Sequence, residues 1–541
     1  MDTKKRVLAG LAAVSAGVLL AGCTAGGDTA EPSGESAANY TIAVAQDFQG
    51  ADRASYSSEA AKTLADIMQG RLLALPTEAG DPLACYDTAP AEIEESSNLV
   101  EEWSLSDDGL GLDITLKPDV RSAAGNTLTS EDVAWTIERI LAIDTTGTAI
   151  WFTIGGFDRE NPITIEDELS FTLNLTAENA LAPYALAGTA GMIYDSAAVK
   201  EHTTAEDPWG EEWLASNTAN FGPWNLERFS SQQLVFEQNE NFTGERGPLE
   251  SVSVISVPDS SSRIQLLQTG EVDEVNGLDY TQMAALEDGS DVSVVRCDST
   301  ARDWLGVNAN DPTLSDPKVR QAISLALDRE AIAESVYGGF ATPAISGLSA
   351  AFGVPEGEYY SQDVERAKEL LEEAGVGDGF SMELSVSPAQ PGAYSSELSA
   401  LIQQQLAAVG ITVSIANVPS AVDYRDAGRA QSMQAWLLAE SPAFQNAGYG
   451  PWLSYGEGGL QNYSGFVNER IDELADQVMT GAVTDDASIA ELSELTDKFQ
   501  PAIYLVDRPT IFVRASCVDE VPTSTLMVDF AGAVTSCGSR G

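Results

Sequence analysis

Residues 305–332, LGVNANDPTLSDPKVRQAISLALDREAI, constrain this chain more than any other stretch. Leu305, Val307, Asn308 and Asn310 read as a short strand that stops at Asp311-Pro312. Asp316-Pro317 then opens a helix: the Asp316 carboxylate is placed to cap free backbone N–H groups, and proline suits the first helical position because it has no N–H to leave unpaired. Val319, Ile323, Ala326, Leu327, Ala331 and Val336 follow at helical spacing, and Gly338-Gly339 end the run. The stretch predicts a strand feeding one amphipathic helix.

The same alternation recurs along the chain. Residues 40–45 alternate as a strand, and residues 58–75 carry a helical apolar face. Residues 99–140 read as a hairpin turning at Asp108-Gly109, followed by a helix capped at Thr129-Ser130. Residues 163–175 form a strand pair. A strand at 252–257 then meets a helix at 260–269. Helices are predicted at 363–374, 397–409 and after the Asn468 cap, with a strand at 411–418. Strands and helices in this rhythm give α/β lobes, and 541 residues suffice for two or three folding units.

The first residues predict export. Lys4, Lys5 and Arg6 precede an apolar run at 7–21 that is too short to span a bilayer and suits a secretory signal. The run ends Leu20-Ala21-Gly22-Cys23, which resembles the lipobox of bacterial lipoproteins. That resemblance implies cleavage before Cys23, lipidation of its thiol and attachment to the outer face of the cytoplasmic membrane. Residues 1–22 are then the signal, and 23–39 a small, polar tether. Four cysteines remain. Cys517 and Cys537 pair most economically, which leaves Cys85 with Cys297.

Composition removes whole classes of function. With 28 Lys+Arg against 83 Asp+Glu, the net charge is −55. A phosphate backbone would be repelled, so no nucleic acid partner is expected. The acidity reads as a solvated surface, with a field that steers cationic ligands as the alternative. The one histidine, His202, sits in an acidic polar run without metal-ligand spacing, and no nucleophile, phosphate-loop or zinc motif accompanies it. Neither a metal nor a cofactor is expected. A hydrolase is the rival from the enzyme class, and these absences weigh against it.

The string LGVNANDPTLSDPKVRQAISLALDREAIAESVYGGFATPA resembles the hallmark segment of the extracytoplasmic solute-binding proteins of peptide and nickel ABC importers (family 5, dipeptide- and oligopeptide-binding-like). The Trp103 hairpin, NFGPWNLERF at 220–229 and FQPAIYLVDRPTIFVR at 499–514 follow in the family's order. The resemblance implies a two-lobed periplasmic-binding-protein fold with an extra subdomain in the first lobe: 40–304 as lobe I, 305–503 as lobe II and 504–541 returning to lobe I. It implies a monomer that closes on a peptide or small molecule and docks on an ABC permease driven by its ATPase. Oligopeptide is the first expectation, and an oligosaccharide or metal chelate the second.

The same resemblance suggests where the ligand is held. Asp47 and Phe48 lie where lobe I contacts begin in the family. Trp151 and Phe152 occupy an apolar loop that faces the cleft or fills the core. Residues 436–455, WLLAESPAFQNAGYGPWLSY, are aromatic and rich in glycine and proline, which predicts a binding loop carrying Trp436, Tyr449 and Trp452. Peptide-binding relatives have an aspartate three residues after the matching tryptophan. Here that position is Ala439, and the nearest carboxylate is Glu440.

Overall fold

The computed structural model describes residues 38–52, 59–75, 93–144, 146–244, 246–287, 289, 291–440, 445–523 and 528–537. The first half contains β1 (Ala38–Val44), β2 (Val100–Leu105), β3 (Gly111–Leu116), β4 (Ile163–Ile165), β5 (Ser170–Asn174), β6 (Trp224–Ser230), β7 (Gln233–Gln238), β8 (Leu249–Ser256) and β9 (Glu274–Val275). The second contains β10 (Val292–Val307), β11 (Thr342–Pro343), β12 (Phe380–Val386), β13 (Ile411–Asn417), β14 (Ala435–Glu440), β15 (Ile503–Ala515), β16 (Val518–Glu520) and β17 (Val534–Thr535).

One sheet joins both halves, in the order β13-β12-β14-β10-β15-β9-β1-β8-β7-β6, with β11 on β15. The two long strands at its centre make the join. Val292 to Cys297 of β10 pair with Ala515 to Thr510 of β15, and after a register break Ala301 to Leu305 pair with Arg508 to Ile503. Beyond the break β10 gains β14 on its other side. Burial follows the pairing: from Ala301 to Val307 every residue of β10 is buried, whereas its first half alternates.

Separate cores lie on either side of this crossing, so the sheet links two lobes. In lobe I, Tyr40, Ile42, Val252, Val254 and Phe236 pack with the C-terminal segment. A four-stranded sheet, β2-β3-β5-β4, forms a subdomain on that lobe. Its β3 alternates as a half-buried strand should: Leu112, Ile114 and Leu116 face the core while Asp113 faces water. The helix Ser130–Ile143 covers this core with Val133, Ile137 and Ile140, and Thr129 and Asp132 close a reciprocal capping box. In lobe II, Leu305, Val307 and Leu437 face one core, and Trp304, Trp436 and Tyr504 the other.

Three expectations change. The strand expected from Leu305 begins at Val292, because its first half carries charges that conceal the strand pattern. The single helix expected across 317–336 is two, Pro317–Ala326 and Arg329–Tyr337. Leu327 turns extended, and the Asp328 carboxylate caps Ala331 N–H to start again. The loop expected at 436–455 is β14 followed by the helix Tyr449–Tyr455, while 441–444 lie outside the described residues. The apolar run at 435–439 is a buried strand, and the glycines and prolines that suggested a loop come after it.

Cys517 and Cys537 form a disulfide. Cys297 is disulfide-bonded; its expected partner Cys85 and the expected lipidation site Cys23 lie outside the described residues. Among the described residues no helix is long and apolar enough to cross a membrane.

Candidate functional site

The crossing strands bring charge into the interior. Arg302 of β10 stands opposite Glu440 of β14 on one side and Asp507 of β15 on the other, giving a row of negative, positive and negative groups across three strands. An isolated charge at this depth costs several kcal/mol, so each needs partners. Arg302 Nε donates to Asp507 Oδ1 at 2.6 Å, and its terminal nitrogens donate to the carbonyls of Gly347 (3.0 Å) and Ser346 (2.8 Å). The guanidinium lies 3.7 Å over the Tyr504 ring.

Glu440 is reached differently. Its Oε2 accepts from Ser454 Oγ and from Tyr504 OH, each at 2.9 Å. Burial pushes its carboxyl above the ordinary carboxylate range, against the pull of the Arg302 charge and the two hydroxyls. The helix Tyr449–Tyr455 closes over it at Gly450, where a Cβ would come 2.3 Å from Glu440 Oε1. A small pocket of about 10 Å³, room for about one water, opens here, lined by Thr300, Arg302, Ser349, Glu440, Asn446 and Tyr504 among others.

A second charged group occupies the opposite face. Asp303 pairs across the sheet with Ala439 of β14 and is fully buried. Its Oδ2 accepts from Tyr337 OH and Tyr394 OH, both at 2.6 Å, and its Oδ1 lies 2.7 Å from Arg508 Nε. Tyr280, from the lobe I helix Tyr280–Glu287, packs against both phenols with ring centroids 5.0 and 5.5 Å away.

The lobes also meet away from the crossing. Tyr449 and Leu453 of lobe II belong to the apolar cluster of the lobe I subdomain, with Leu181 and Ala182. Ala180 N–H donates to the Thr480 carbonyl at 2.8 Å. The arrangement is therefore closed.

The expected ligand contacts distribute unevenly over this frame. Glu440 lines the pocket, and Tyr449 and Trp452 stack at 6.2 Å on the helix above it, Trp452 half-buried. Trp436 is fully buried against Trp304 and Tyr463. Trp151 is fully buried and donates Nε1–H to the Ala190 carbonyl at 2.9 Å, and Phe152 packs in the same subdomain core. Phe48 packs in the lobe I core, while Asp47 is exposed and accepts from Ser256 Oγ at 2.6 Å. His202 is exposed and stacks on Trp213 beside a wider pocket of about 390 Å³, remote from the crossing; there the Asp195 carboxylate already accepts from Ser122 and Asn126.

Arg302, Asp303, Tyr394, Tyr504 and Arg508 were not anticipated. Their signal is the charged doublet, Arg302-Asp303 in one apolar strand and Asp507-Arg508 in the other. A charge inside a buried strand requires a partner, and each doublet supplies the other's.

Comparison with known proteins places these features in a family. The family model for bacterial extracellular solute-binding proteins, family 5 Middle, matches residues 95–462. The glutathione-binding protein GsiB of Salmonella paratyphi A is 28% identical over 328 residues, 59% of this chain and 60% of that protein. The probable D,D-dipeptide-binding periplasmic protein DdpA of Escherichia coli K12 is 30% identical over 293 residues, 52% of this chain and 53% of that protein. These matches span only about half to three-fifths of the curated relatives. The DppA periplasmic binding protein of Helicobacter pylori, in complex with the peptide STSA, superposes with a TM-score of 0.73 at 20% identity, covering 92% of this chain and 98% of that one. The two-lobed α/β fold is shared.

Proposed function

The chain belongs to family 5 of the bacterial extracellular solute-binding proteins, and we propose that it captures a short peptide between its lobes and delivers it to an ABC permease without chemical turnover. The observation that carries this reading is the paired charge at the crossing. On one face of the crossing the buried groups Arg302 and Glu440 put charges of both signs beside Tyr504, which suits a ligand with an amine at one end, a carboxylate at the other and an amide spine between. The relatives named for glutathione and D,D-dipeptides support the same chemical class.

Glu440 is the residue we assign to the ligand's positive end, with Tyr449 and Trp452 above it; Trp436, Trp151, Phe152 and Phe48 act as packing behind the wall. Asp47 belongs to the rim. Closure works by differential contact: the closed state gains ligand contacts that the open state lacks. The Leu20-Ala21-Gly22-Cys23 sequence supports a lipid anchor at Cys23. Mass spectrometry of molecules released on denaturing the purified protein tests the ligand class. Peptides are expected; a sugar or a metal chelate in their place discards the peptide assignment.

A further inference from the structure

The wider cavity of lobe I lies away from the crossing, and solute capture between the lobes makes no use of it. It holds about 390 Å³, within the range of small-ligand sites. The loop at 122–126, the helix Ser196–Lys200 with the turn after it, Trp213 and the start of β6 surround it. All belong to lobe I, so the cavity does not depend on closure. Its walls are tied in place. Asn239 Nδ2 donates to the Arg121 carbonyl and Asn241 Nδ2 to the Ser122 carbonyl, both at 3.1 Å, and Asp195 N–H donates to the Ala219 carbonyl at 3.1 Å.

The lining selects a class of ligand. None of the described residues around the cavity is a lysine or arginine, so an anion meets no countercharge. Asp195 is fully buried, yet its charge is already answered: Oδ1 accepts from Ala198 N–H and Asn126 Nδ2, and Oδ2 from Ser122 Oγ and Asn126 Nδ2. Four bonds use a carboxylate's capacity, which leaves a cation only the exposed Glu201. What stays open is neutral and of both kinds. Asn225 Oδ1 accepts from Thr218 Oγ1 at 3.2 Å, and its Nδ2 has no acceptor among the described residues. Asn126 Nδ2 is spent on Asp195, and its Oδ1 has no donor there. His202 lies parallel to the indole of Trp213 with ring centroids 4.4 Å apart, and the indole packs in turn on the small core of Trp135, Val199 and Leu214. Free amide donors and acceptors beside an aromatic wall suit a sugar ring, whose hydroxyls both give and take hydrogen bonds and whose C–H groups pack on aromatic rings.

We infer that lobe I carries a second binding site, for a neutral saccharide of one or two rings, held by the amides of Asn126 and Asn225 with the His202–Trp213 stack as its aromatic wall. The site is separate from the cleft between the lobes, and the inference stands or falls independently of what that cleft captures.

His202 is the one histidine of the chain, so untagged full-length protein labelled with carbon-13 at histidine Cε1 gives a single imidazole signal. That signal is followed by NMR against maltose, cellobiose and chitobiose, with choline as the cationic probe, while calorimetry reads total binding. At least one saccharide is expected to move the signal saturably, and choline to leave it in place. Ala124→Trp sets a bulky ring among the lining residues from an exposed loop position. It is expected to weaken that saccharide at least about tenfold. If circular dichroism shows that this variant does not fold, Asn225→Ala gives the same comparison. Three saccharides that all leave the signal unmoved, choline bound as tightly as any of them, or an affinity that the variant keeps overturns the inference. Heat of saccharide binding without a shift of the imidazole signal also overturns it, because the sugar is then held elsewhere.

Discussion

The indole of Trp436 lies directly against Gly306, its cross-strand partner, so closely that a Cβ at 306 would come within 2.2 Å of ring atom Cε2. The glycine is what lets a full-size tryptophan lie flat on β10 inside lobe II. Gly306→Ala overpacks this contact and is expected to cost about 1–3 kcal/mol. Trp436→Ala empties it and is expected to cost about 3–5 kcal/mol. Urea unfolding of both variants measures these losses, and stability near wild type in either case would contradict the packing described.

The sequence makes the frame legible where local chemistry is decisive. Asp316 and Asn468 cap helices in the structure as their positions suggest, because a cap depends only on neighbours within three residues. The site is less legible because its chemistry is not local. Arg302 finds Asp507 across 205 positions, and Tyr504 reaches Glu440 across 64. Trp436 shows the limit from the other side: an aromatic beside glycines and prolines resembles a binding loop until the strand pairing turns it inward. Glu440 was found only because the family pattern drew attention to the residues after Trp436.

Asp273 gives the fold a pH dependence. Burial pushes its carboxyl up to about 6, although Thr41 N–H and the Thr535 hydroxyl pull it back. A raised carboxyl holds its proton more readily when folded, so its stabilising contribution is complete below the unfolded value and lost as pH rises through about 6. Asp273→Asn is expected to be neutral near pH 4 and to gain stability relative to wild type toward pH 7. The ceiling is about 3 kcal/mol, from a shift of about two units. Urea midpoints at both pH values measure it, and an unchanged difference would contradict this assignment.

The Cys517–Cys537 bond closes the C-terminal segment into lobe I, where both residues lie in the core that holds Tyr40 and Phe530. Replacing both with serine opens a loop with a sequence separation of 20. A loss of about 3 kcal/mol is expected on the chain-entropy estimate. Thermal unfolding with and without reductant checks this: reductant should lower the wild-type midpoint by more than that of the double-serine variant, which keeps the disulfide at Cys297.

Leu453 belongs to lobe II yet packs in the lobe I subdomain, 6% exposed. A carboxylate there is buried without a partner only when the lobes are shut. Leu453→Asp is therefore expected to favour the open arrangement and weaken ligand binding by at least about tenfold, with both lobe cores intact. Small-angle scattering should show a larger radius of gyration than wild type with ligand present. An unchanged radius and affinity would remove this contact from the closing mechanism.

Peptide capture without turnover is most directly tested by thermal melting of the full-length protein against a library of free di- to tetrapeptides, with the peptides assayed afterward. A peptide at one hundred times its Kd should add about 2.7 kcal/mol and raise the midpoint, and it should be recovered intact. A library in which no peptide moves the midpoint, or peptides returned as fragments, would contradict the account.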